Sequence, residues 1–500
     1  MIEFDKFNNA FKIVTANTEY ILRIIHGKYV AHIFYGRKDM CKLTAYQECP
    51  VDFAPYVANI GVNFSLDTQP FELSFFDSGD MKDTSIKIGN SNGDSVTLFY
   101  YKDFRIFQGR INFEDMPYSR GGEETLEIIY YDAVSESELH SYYTVFPESD
   151  TITRYAKFVN CGERAIAIER AVACQLDLKD NGYSLVTLCG EYGRERNICV
   201  VPLHTGIQSI YSKRGHSSHQ FNPFIALKGK ETTENEGEAY AFEFVYSGDF
   251  EAQAEKTFSG KVRVLMGLNH ETFRWRLDKG ESFITPETIL TYSSQGMNKL
   301  SQNLHNHIRS HIISPKFAYA ARPVVVNTWE GMYFAIDENI VLQYAEKAKE
   351  LGIDMVVIDD GWFGNRCNDS EGLGDWYANK DKFQNGLAAF SGKIHKMGLQ
   401  LGIWIEPEMI SPKSQLYAQH PEWVLGCRNR DLSLGRKQLV LDLTQDQVVN
   451  YIVERLKKAF SGVKIDYIKW DFNRSLTEVG SSFLNSGRQG EARHRFMLGS

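Results

Sequence analysis

The chain has 500 residues, enough for about three domains, and its composition is 43% hydrophobic and 24% charged. These proportions are typical of a folded globular protein and exclude extensive disorder. The net charge of −9 and the absence of any run of lysines or arginines argue against nucleic acid or an anionic membrane as a partner.

The N-terminus and the cysteines indicate the compartment. The opening MIEFDKFNNAF has neither the basic nor the apolar region of a signal peptide, and no apolar run reaches the roughly 18 residues of a membrane span. The eight cysteines are scattered without a C-x-x-C pair, so neither a zinc site nor a disulfide framework is predicted. We therefore expect a cytoplasmic protein with reduced thiols, no metal and no cofactor.

Residues 1–292 mostly alternate apolar and polar side chains, as half-exposed strands do. Three stretches show the pattern well: TITRYAKFVN (151–160), RAIAIERAVACQLDL (164–178) and AYAFEFVYSGDF (239–250). The turn signals GNSNGD and DNGY separate such runs. The sequence therefore predicts an N-terminal antiparallel β-sandwich, with a supporting role and a share in subunit contacts.

Residues 293–320 predict a linker helix between two domains. Apolar residues recur there at helical spacing, at Met297, Leu300, Leu304 and Ile308. His307 and His311 lie four residues apart, as two metal ligands on a helix do, but no carboxylate nearby completes a site. A surface or interface helix is the better interpretation.

From residue 321 onward, strands and helices alternate. The predicted strands lie within RPVVVNTWEG, DMVVIDDGWFG, LQLGIWIEPEM, QLVLDL and GVKIDYIKWDFNR. Ile465, Tyr467 and Ile468 are predicted to be buried in the last of them. Nearly continuous apolar strands alternating with helices are typical of a parallel sheet covered by helices.

Three helices are predicted between these strands. The first spans residues 337–351, and its expected buried face consists of Ile340, Tyr344, Ala348 and Leu351. A weaker helix spans residues 387–397. The third is expected to open at Thr444, with Gln447 three residues later at the spacing of a capping box.

Polar and aromatic residues gather where the predicted parallel strands end. They are Trp329, Asp359, Asp360, Trp404, Glu406, Glu408, Lys469 and Asp471. One charged strand end is most simply a structural salt bridge, but four in series indicate an active site, because barrels and open α/β sheets build their sites at this edge. Lys469 and Asp471 point to the same side of their strand, which predicts an ion pair between them.

The residue types favour carbohydrate chemistry. The segment has no Gly-rich phosphate loop and no G-x-S-x-G motif, and Trp329, Trp362 and Trp404 can stack on sugar faces. Adjacent aspartates can accept hydrogen bonds from neighbouring hydroxyls. An aspartate kept ionised by a lysine suits the nucleophile of a glycosidase that forms a covalent glycosyl intermediate.

The motifs LDKGESFITPETILTYSSQGM, RPVVVNTWEGMYF, VVIDDGWFG, LGIWIEPEMI, GRKQLVLDL and YIKWDFNR together resemble bacterial α-galactosidases of glycoside hydrolase family 36. The resemblance runs in the family's order over residues 277–500, and the earlier part fits the family's N-terminal β-sandwich in rhythm and length. It implies a retaining α-galactosidase that hydrolyses terminal α-linked galactose from oligosaccharides such as melibiose and raffinose. It also implies a homotetramer.

The resemblance assigns roles residue by residue. Asp471 is expected to be the nucleophile. The expected substrate-binding residues are Trp329, Asp359, Asp360, Trp404, Arg436, Lys469 and Asn473. The paired aspartates would hold O4 and O6 of galactose, the two tryptophans would wall the pocket, and Glu406 and Glu408 are not the catalytic pair of the family.

The fold class expected is thus β plus α/β, with an N-terminal β-sandwich (1–292), a linker helix (293–320) and an incomplete (β/α)8 barrel (321–500). A barrel takes about 250 residues, more than the segment offers. The resemblance places the acid/base aspartate beyond Ser500, so we expect a partial enzyme.

Two alternatives stay open at this stage. One is a related enzyme, an α-N-acetylgalactosaminidase or an α-galactosyl transglycosylase. The other is a carbohydrate-binding fragment without catalysis.

Overall fold

The computed structural model describes residues 1–41 and 55–500. The chain divides into two compact units, Met1–Tyr319 and Ala320–Ser500. Cys49 lies outside the described residues. No helix within the described ranges is long and apolar enough to cross a membrane.

The first unit is built mainly of strands. These are β1 (Ile2–Asp5), β2 (Ala10–Val14), β3 (Thr18–Ile25), β4 (Tyr29–Arg37), β5 (Ile86–Gly89), β6 (Tyr100–Gln108), β7 (Glu124–Asp132), β8 (Ser137–Phe146), β9 (Thr151–Asn160), β10 (Ile166–Lys179), β11 (Ser184–Glu191), β12 (Arg194–Pro202), β13 (Gly206–Tyr211), β14 (Phe221–Lys228), β15 (Ala239–Phe244), β16 (Phe250–Lys256), β17 (Lys261–Leu268), β18 (Trp275–Leu277), β19 (Ser282–Ile284) and β20 (Thr288–Ser293).

These strands form antiparallel sheets. A ten-stranded sheet runs in the order β12-β11-β14-β15-β20-β9-β8-β7-β6, with β19 also on β9, and a six-stranded sheet runs β13-β16-β17-β10-β18, with β5 also on β10. Strands β9, β14 and β15 lie against β10, β16 and β17, and β1–β4 form a further sheet. The predicted antiparallel sandwich is confirmed, and TITRYAKFVN coincides with β9.

Helix α1 (Gly296–His307) belongs to this unit and packs on β15 and β20. Leu300 and Leu304 are buried in an apolar cluster with Ala239 and Ala241 of β15 and Ile289 of β20. His307 is fully buried, and its ring nitrogens lie 2.8 Å from Ser119 Oγ and 2.7 Å from Thr151 Oγ1. A short π-helical turn, Ile308–Ile312, and α2 (Pro315–Ala318) follow.

The second unit alternates strands and helices. Its elements are β21 (Val325–Asn327), α3 (Trp329–Met332), α4 (Glu338–Glu350), β22 (Met355–Ile358), α5 (Gly386–Lys396), β23 (Gln400–Ile405), β24 (Met409–Ile410), α6 (Gln415–Gln419), β25 (Leu439–Val440), α7 (Asp446–Ala459), β26 (Tyr467–Trp470) and α8 (Ala492–Gly499).

Four strands form a parallel sheet in the order β21-β22-β23-β26. The inner strands are buried, as predicted from their apolar runs. The predicted burial of the last strand is wrong, because Tyr467 is 46% and Ile468 50% exposed. Strand β26 is an edge strand that pairs only with β23 within the described residues, so one side of it has no neighbour to cover it.

Two further local predictions are wrong. The QLVLDL stretch contributes β25, which pairs antiparallel with β24 and takes no part in the parallel sheet. Helix α7 begins at Asp446 after the N-cap Gln445, without a side-chain cap. Thr444 Oγ1 instead donates to Asp442 Oδ1 at 2.6 Å, so the capping-box spacing has no structural counterpart.

The predicted helix over 337–351 exists as α4, but its buried face differs. Val341, Ala345 and Ala348 are buried, whereas Ile340 is 42% and Leu351 80% exposed. Two stripes of apolar residues at helical spacing compete in this sequence, and packing against β22 and α5 selects the one with the smaller residues.

Candidate active site

The carboxyl ends of the four parallel strands bring the predicted residues together. Asn327 ends β21, Asp359 and Asp360 follow β22, and Trp404 lies near the end of β23. On β26, Lys469 lies opposite Trp404, and the next backbone N–H after the strand, that of Asp471, donates to Ile405 O at 2.9 Å. The parallel register therefore places the nucleophile candidate directly beside the end of β23.

Lys469 pairs with Asp359, and the expected direct ion pair with Asp471 is not what the structure shows. Lys469 Nζ donates to Asp359 Oδ2 at 2.8 Å, and Asn327 Nδ2 donates to the same oxygen at 2.6 Å. Burial disfavours the ammonium ion, but the bond to Asp359 outweighs it and raises the pKa of Lys469 above its usual value. Strand β23 lies between β22 and β26, and the Lys469 side chain reaches across its end to Asp359.

Asp471 is held from the other side by an indole. Trp404 Nε1 donates to Asp471 Oδ2 at 3.1 Å, while Oδ1 has no hydrogen-bond partner among the described residues. Trp404 is only 1% exposed and stacks on Phe363 with ring centres 6.0 Å apart. Its body is therefore part of the core, and it reaches the site through the N–H edge.

Asp360 faces an arginine that sequence reasoning missed. Arg366 Nε donates to Asp360 Oδ1 at 2.9 Å, and Nη2 donates to Oδ2 at 2.6 Å. Burial raises the pKa of Asp360 above its usual value, and the arginine opposes that shift. Arg366 lies in the non-periodic stretch GWFGNRCNDSEG. Its spacing there gives no sign that it is buried or that it pairs with Asp360.

Glu406 holds the predicted Arg436 and Asn473. Its Oε1 accepts from Arg436 Nη2 and, at 2.9 Å, from Asn473 Nδ2, while its buried Oε2 has no hydrogen-bond partner in the described part of the chain. Arg436 and Lys437 form the centre of a tight turn with φ of +48° and +63°, closed by backbone bonds between Gly435 and Gln438. Non-glycine residues in this region carry strain, which is common at functional sites.

Glu408 lies beneath the site with the other glutamate. Its Oε2 accepts from Trp470 Nε1 at 2.8 Å. Burial raises the pKa of Glu406 to about 7, with Arg436 opposing, and burial together with Glu406 raises the pKa of Glu408 well above its usual range. Burial therefore favours the protonated form of Glu408, which forms part of the floor of the site.

The remaining tryptophans differ in access. Trp329 is half-buried and packs edge-on against Phe334, with ring centres 5.1 Å apart at 88°. Trp362 is fully buried, and its Nε1 donates to the carbonyl of Trp404 at 2.9 Å, so it is a core residue. Among the described residues, no cluster of three or more His, Cys, Asp or Glu side chains could hold a metal ion.

The arrangement can bind and attack a polyol. Two buried aspartates, each with its own cation, present acceptors for hydroxyl groups. A third carboxylate, on Asp471, keeps one oxygen unoccupied. Such a set suits displacement at an anomeric carbon by a carboxylate nucleophile.

Comparison with known families agrees with this chemistry. The Melibiase family matches residues 282–500, and the glycosyl hydrolase family 36 N-terminal domain matches residues 28–278. The chain is 40% identical to alpha-galactosidase AgaA of Geobacillus stearothermophilus and 37% identical to alpha-galactosidase Mel36A of Lactobacillus acidophilus. Each match covers 100% of this chain and 69% of the relative.

Solved structures give the same result. The GH36 alpha-galactosidase AgaB of Geobacillus stearothermophilus superposes with a TM-score of 0.97 at 39% identity, covering 100% of this chain and 69% of that one. Variants of AgaA in complex with raffinose and with stachyose match with a TM-score of 0.95 at 40% identity, covering 98% of this chain and 69% of theirs.

Proposed function

The chain belongs to glycoside hydrolase family 36, and we propose that it is a retaining α-galactosidase acting on α-galactoside oligosaccharides of the raffinose and stachyose type. The observation that carries the proposal is Asp471, a carboxylate with one oxygen bonded to Trp404 and the other unoccupied among the described residues. It lies beside the hydroxyl-accepting pair Asp359 and Asp360. The two curated relatives named above are α-galactosidases.

The reaction proceeds in two displacements. Asp471 Oδ1 attacks the anomeric carbon of galactose, the bond from that carbon to the aglycone oxygen breaks, and a covalent glycosyl-enzyme forms. The aglycone oxygen keeps the bonding electrons and takes up a proton. Water then attacks the same carbon and gives up a proton, and the carboxylate leaves with its electron pair. The Trp404 N–H stabilises the carboxylate each time it carries full charge.

Hydroxyl recognition falls to the buried aspartates. Lys469 pairs with Asp359 and Arg366 pairs with Asp360, so each buried aspartate has a cation beside it. We propose that the pair accepts hydrogen bonds from O4 and O6 of galactose. Galactose carries an axial O4, whereas the O4 of glucose is equatorial. With glucose, the buried aspartate that accepts from O4 would lose this hydrogen bond, which discriminates strongly between the two sugars.

Neither nearby glutamate suits the second carboxyl group that a retaining enzyme needs about 5–5.5 Å from the nucleophile. Glu406 is fully buried and bonded to Arg436 and Asn473, and Glu408 is fully buried and bonded to Trp470. The decisive assay should therefore not depend on a general acid.

The test uses 4-nitrophenyl α-galactoside with the 500-residue chain, with and without azide. Nitrophenolate leaves without protonation, and azide attacks the glycosyl-enzyme without a general base. We expect azide-dependent release that yields α-galactosyl azide, because two inversions retain configuration. Asp471→Asn should abolish it in a protein with unchanged circular dichroism. A β-azide product, or undiminished turnover in Asp471→Asn, would overturn the proposal.

A direct comparison of two substrates tests the alternative that the protein is an α-N-acetylgalactosaminidase. The same assay with 4-nitrophenyl α-N-acetylgalactosaminide should show little turnover. Faster release from this substrate than from the galactoside would replace the proposed specificity.

We also propose that the protein forms a homo-oligomer, a tetramer by family resemblance, through contacts that include the β11–β12 hairpin. Strand β12 is the edge of the ten-stranded sheet, and Ile198 is 72% and Val200 50% exposed on it. Exposed apolar edges are usually covered by a partner. Light scattering should give four times the chain mass, and Ile198→Lys should lower it. Val134→Lys, at a turn residue that is 70% exposed, is the matched control.

We propose a cytoplasmic location as well. The seven cysteines within the described residues all carry free thiols, including Cys189 and Cys199, whose sulfur atoms are 2.7 Å apart. Reduced thiols are typical of the cytosol. Fractionation of the producing cells should find the activity with soluble cytosolic enzymes, and recovery from the medium or cell envelope would contradict this.

A further inference from the structure

We propose that Arg366 is a positioning residue for galactose recognition, because its guanidinium fixes the orientation of the Asp360 carboxylate. The inference rests on the proposed function above and adds a residue that neither the motifs nor the family resemblance pointed to. Arg366 is fully buried, six residues beyond the aspartate it serves.

The contact is a two-pronged fork. Arg366 Nε and Nη2 donate to the two different oxygens of Asp360, at 2.9 Å and 2.6 Å. A fork of this kind fixes the plane of the carboxylate, so the outward lone pairs of both oxygens keep one direction. Lysine can supply the charge but not the two parallel bonds.

The guanidinium is itself fixed by its own loop. Its Nη1 donates to the carbonyls of Asn368 at 2.9 Å and Glu371 at 2.8 Å. At Gly372, where φ is +86°, an added Cβ would lie 3.0 Å from the Cβ of Arg366. The loop therefore closes tightly around the arginine, and its glycine is required by that close approach.

A lysine joins this loop to the preceding one. Lys382 Nζ donates to the carbonyls of Phe334, Gly361 and Arg366 at 2.9, 2.8 and 3.1 Å. The Arg366 guanidinium lies over the Phe334 ring at 5.2 Å, and Trp329 packs on the same ring. The same set of contacts therefore supports Trp329, the predicted wall of the sugar pocket, and Asp360, the predicted hydroxyl acceptor.

Charge explains why a second cation is needed here. Asp359 and Asp360 are adjacent and almost fully buried, and Lys469 bonds to Asp359 alone. Without Arg366, burial and the neighbouring carboxylate would raise the pKa of Asp360 further. The arginine therefore favours the ionised acceptor as well as fixing the direction in which it points.

The test is calorimetric binding of D-galactose and of D-fucose, its 6-deoxy analogue, to wild type, Arg366→Met, Arg366→Lys and Asp360→Asn. We expect Arg366→Met to weaken galactose binding by about 10-fold to 100-fold at pH 7, the effect of losing a charged hydrogen bond. The loss should shrink on D-fucose if Asp360 receives O6. Arg366→Lys should restore the pH profile of binding but only part of the affinity.

A double mutant separates positioning from mere support of the fold. In the Asp360→Asn background, Arg366→Met should cause little further loss, since it acts through the missing carboxylate. Arg263→Lys, at an equally buried arginine bonded to Asp177 in the first unit, is the matched control and should leave binding unchanged. Circular dichroism establishes that each variant is folded, and Arg366→Lys is the fallback if the methionine variant is not.

The outcomes are distinct. Wild-type protein that binds galactose while both Arg366 variants bind it equally well would overturn this inference alone. Additive losses in the double mutant would also overturn it. A folded wild-type chain that binds no galactose would overturn the proposed function instead.

Discussion

Replacing Glu406 by glutamine should make the second unit more stable relative to wild type as the pH rises from 4.5 to 7 and above. The side chain is fully buried, and burial raises its pKa from 4.5 to about 7. Between these values the unfolded chain has lost the proton and the folded protein retains it, so stability falls as pH rises. The difference of about 2.5 units corresponds to roughly 3 kcal/mol, complete once the pH exceeds 7.

Glutamine is a neutral isostere of the protonated acid and removes this titration. In the glutamine variant an amide group takes the place of Oε2, which has no hydrogen-bond partner among the described residues. Burying this polar group without a partner costs about 1–3 kcal/mol at every pH. The informative quantity is therefore the difference between pH 8 and pH 5 in the mutational effect. It should favour the glutamine variant by about 2.5 kcal/mol, since a small part of the wild-type penalty is already present at pH 5.

Tryptophan fluorescence in urea is a suitable assay. Of the seven tryptophans only Trp275 lies in the first unit, so the signal reports mainly on the unit that contains Glu406. Glu478→Gln is the control. Hydrogen bonds from Thr477 and Ser433 lower the pKa of that exposed carboxyl group, so it should show no alkaline gain. A mutational effect of Glu406→Gln that is equal at pH 5 and pH 8 would refute the reasoning.

Three further predictions concern the same unit. Asp337→Ala should destabilise it by about 1 kcal/mol in urea, because its side chain caps α4, and an unchanged midpoint would contradict the cap. Gly372→Ala should lower the free energy of unfolding by about 1–3 kcal/mol and weaken galactose binding, since a Cβ there crowds Arg366. Gly398→Ala is the control, because Gly398 has a similar φ of +83° but open space around it, and it should leave binding intact. Equal binding losses in the two variants would refute the close-approach argument. Lys469→Met should weaken galactose binding about 10-fold or more by calorimetry, and unaffected binding would exclude a role for its partner aspartate.

The sequence was sufficient where one local signal dominated. Strand β9 and helix α4 coincide closely with their predicted limits. The alternation of a strand and the cap of a helix both depend on residues that are close in sequence, so a local pattern is enough to predict them. The accumulation of charge at strand ends also indicated which residues gather at one edge of the sheet, since parallel strands align their carboxyl ends whatever the rest of the fold does.

Where two local signals competed, the sequence misled. The two apolar stripes of α4 have similar spacing, and only packing selected the stripe containing Val341 and Ala345. Thr444 and Gln447 have the spacing of a capping box, yet the Thr444 hydroxyl bonds to Asp442 and the helix begins two residues later. Tyr467 and Ile468 are as apolar as residues of the inner strands, but burial depends on having a neighbour on both sides.

By itself, the sequence determined the fold class, the family motifs and the set of residues that gather at one edge of a parallel sheet. The tertiary structure alone decided the partners within that set. Lys469 bonds to Asp359 across two strands, the Trp404 indole reaches Asp471, and Arg366 returns from a long loop to Asp360. Periodicity reports which way a side chain points from its own strand or helix, whereas a hydrogen bond depends on the distance between elements, and that distance is set only when the whole core packs.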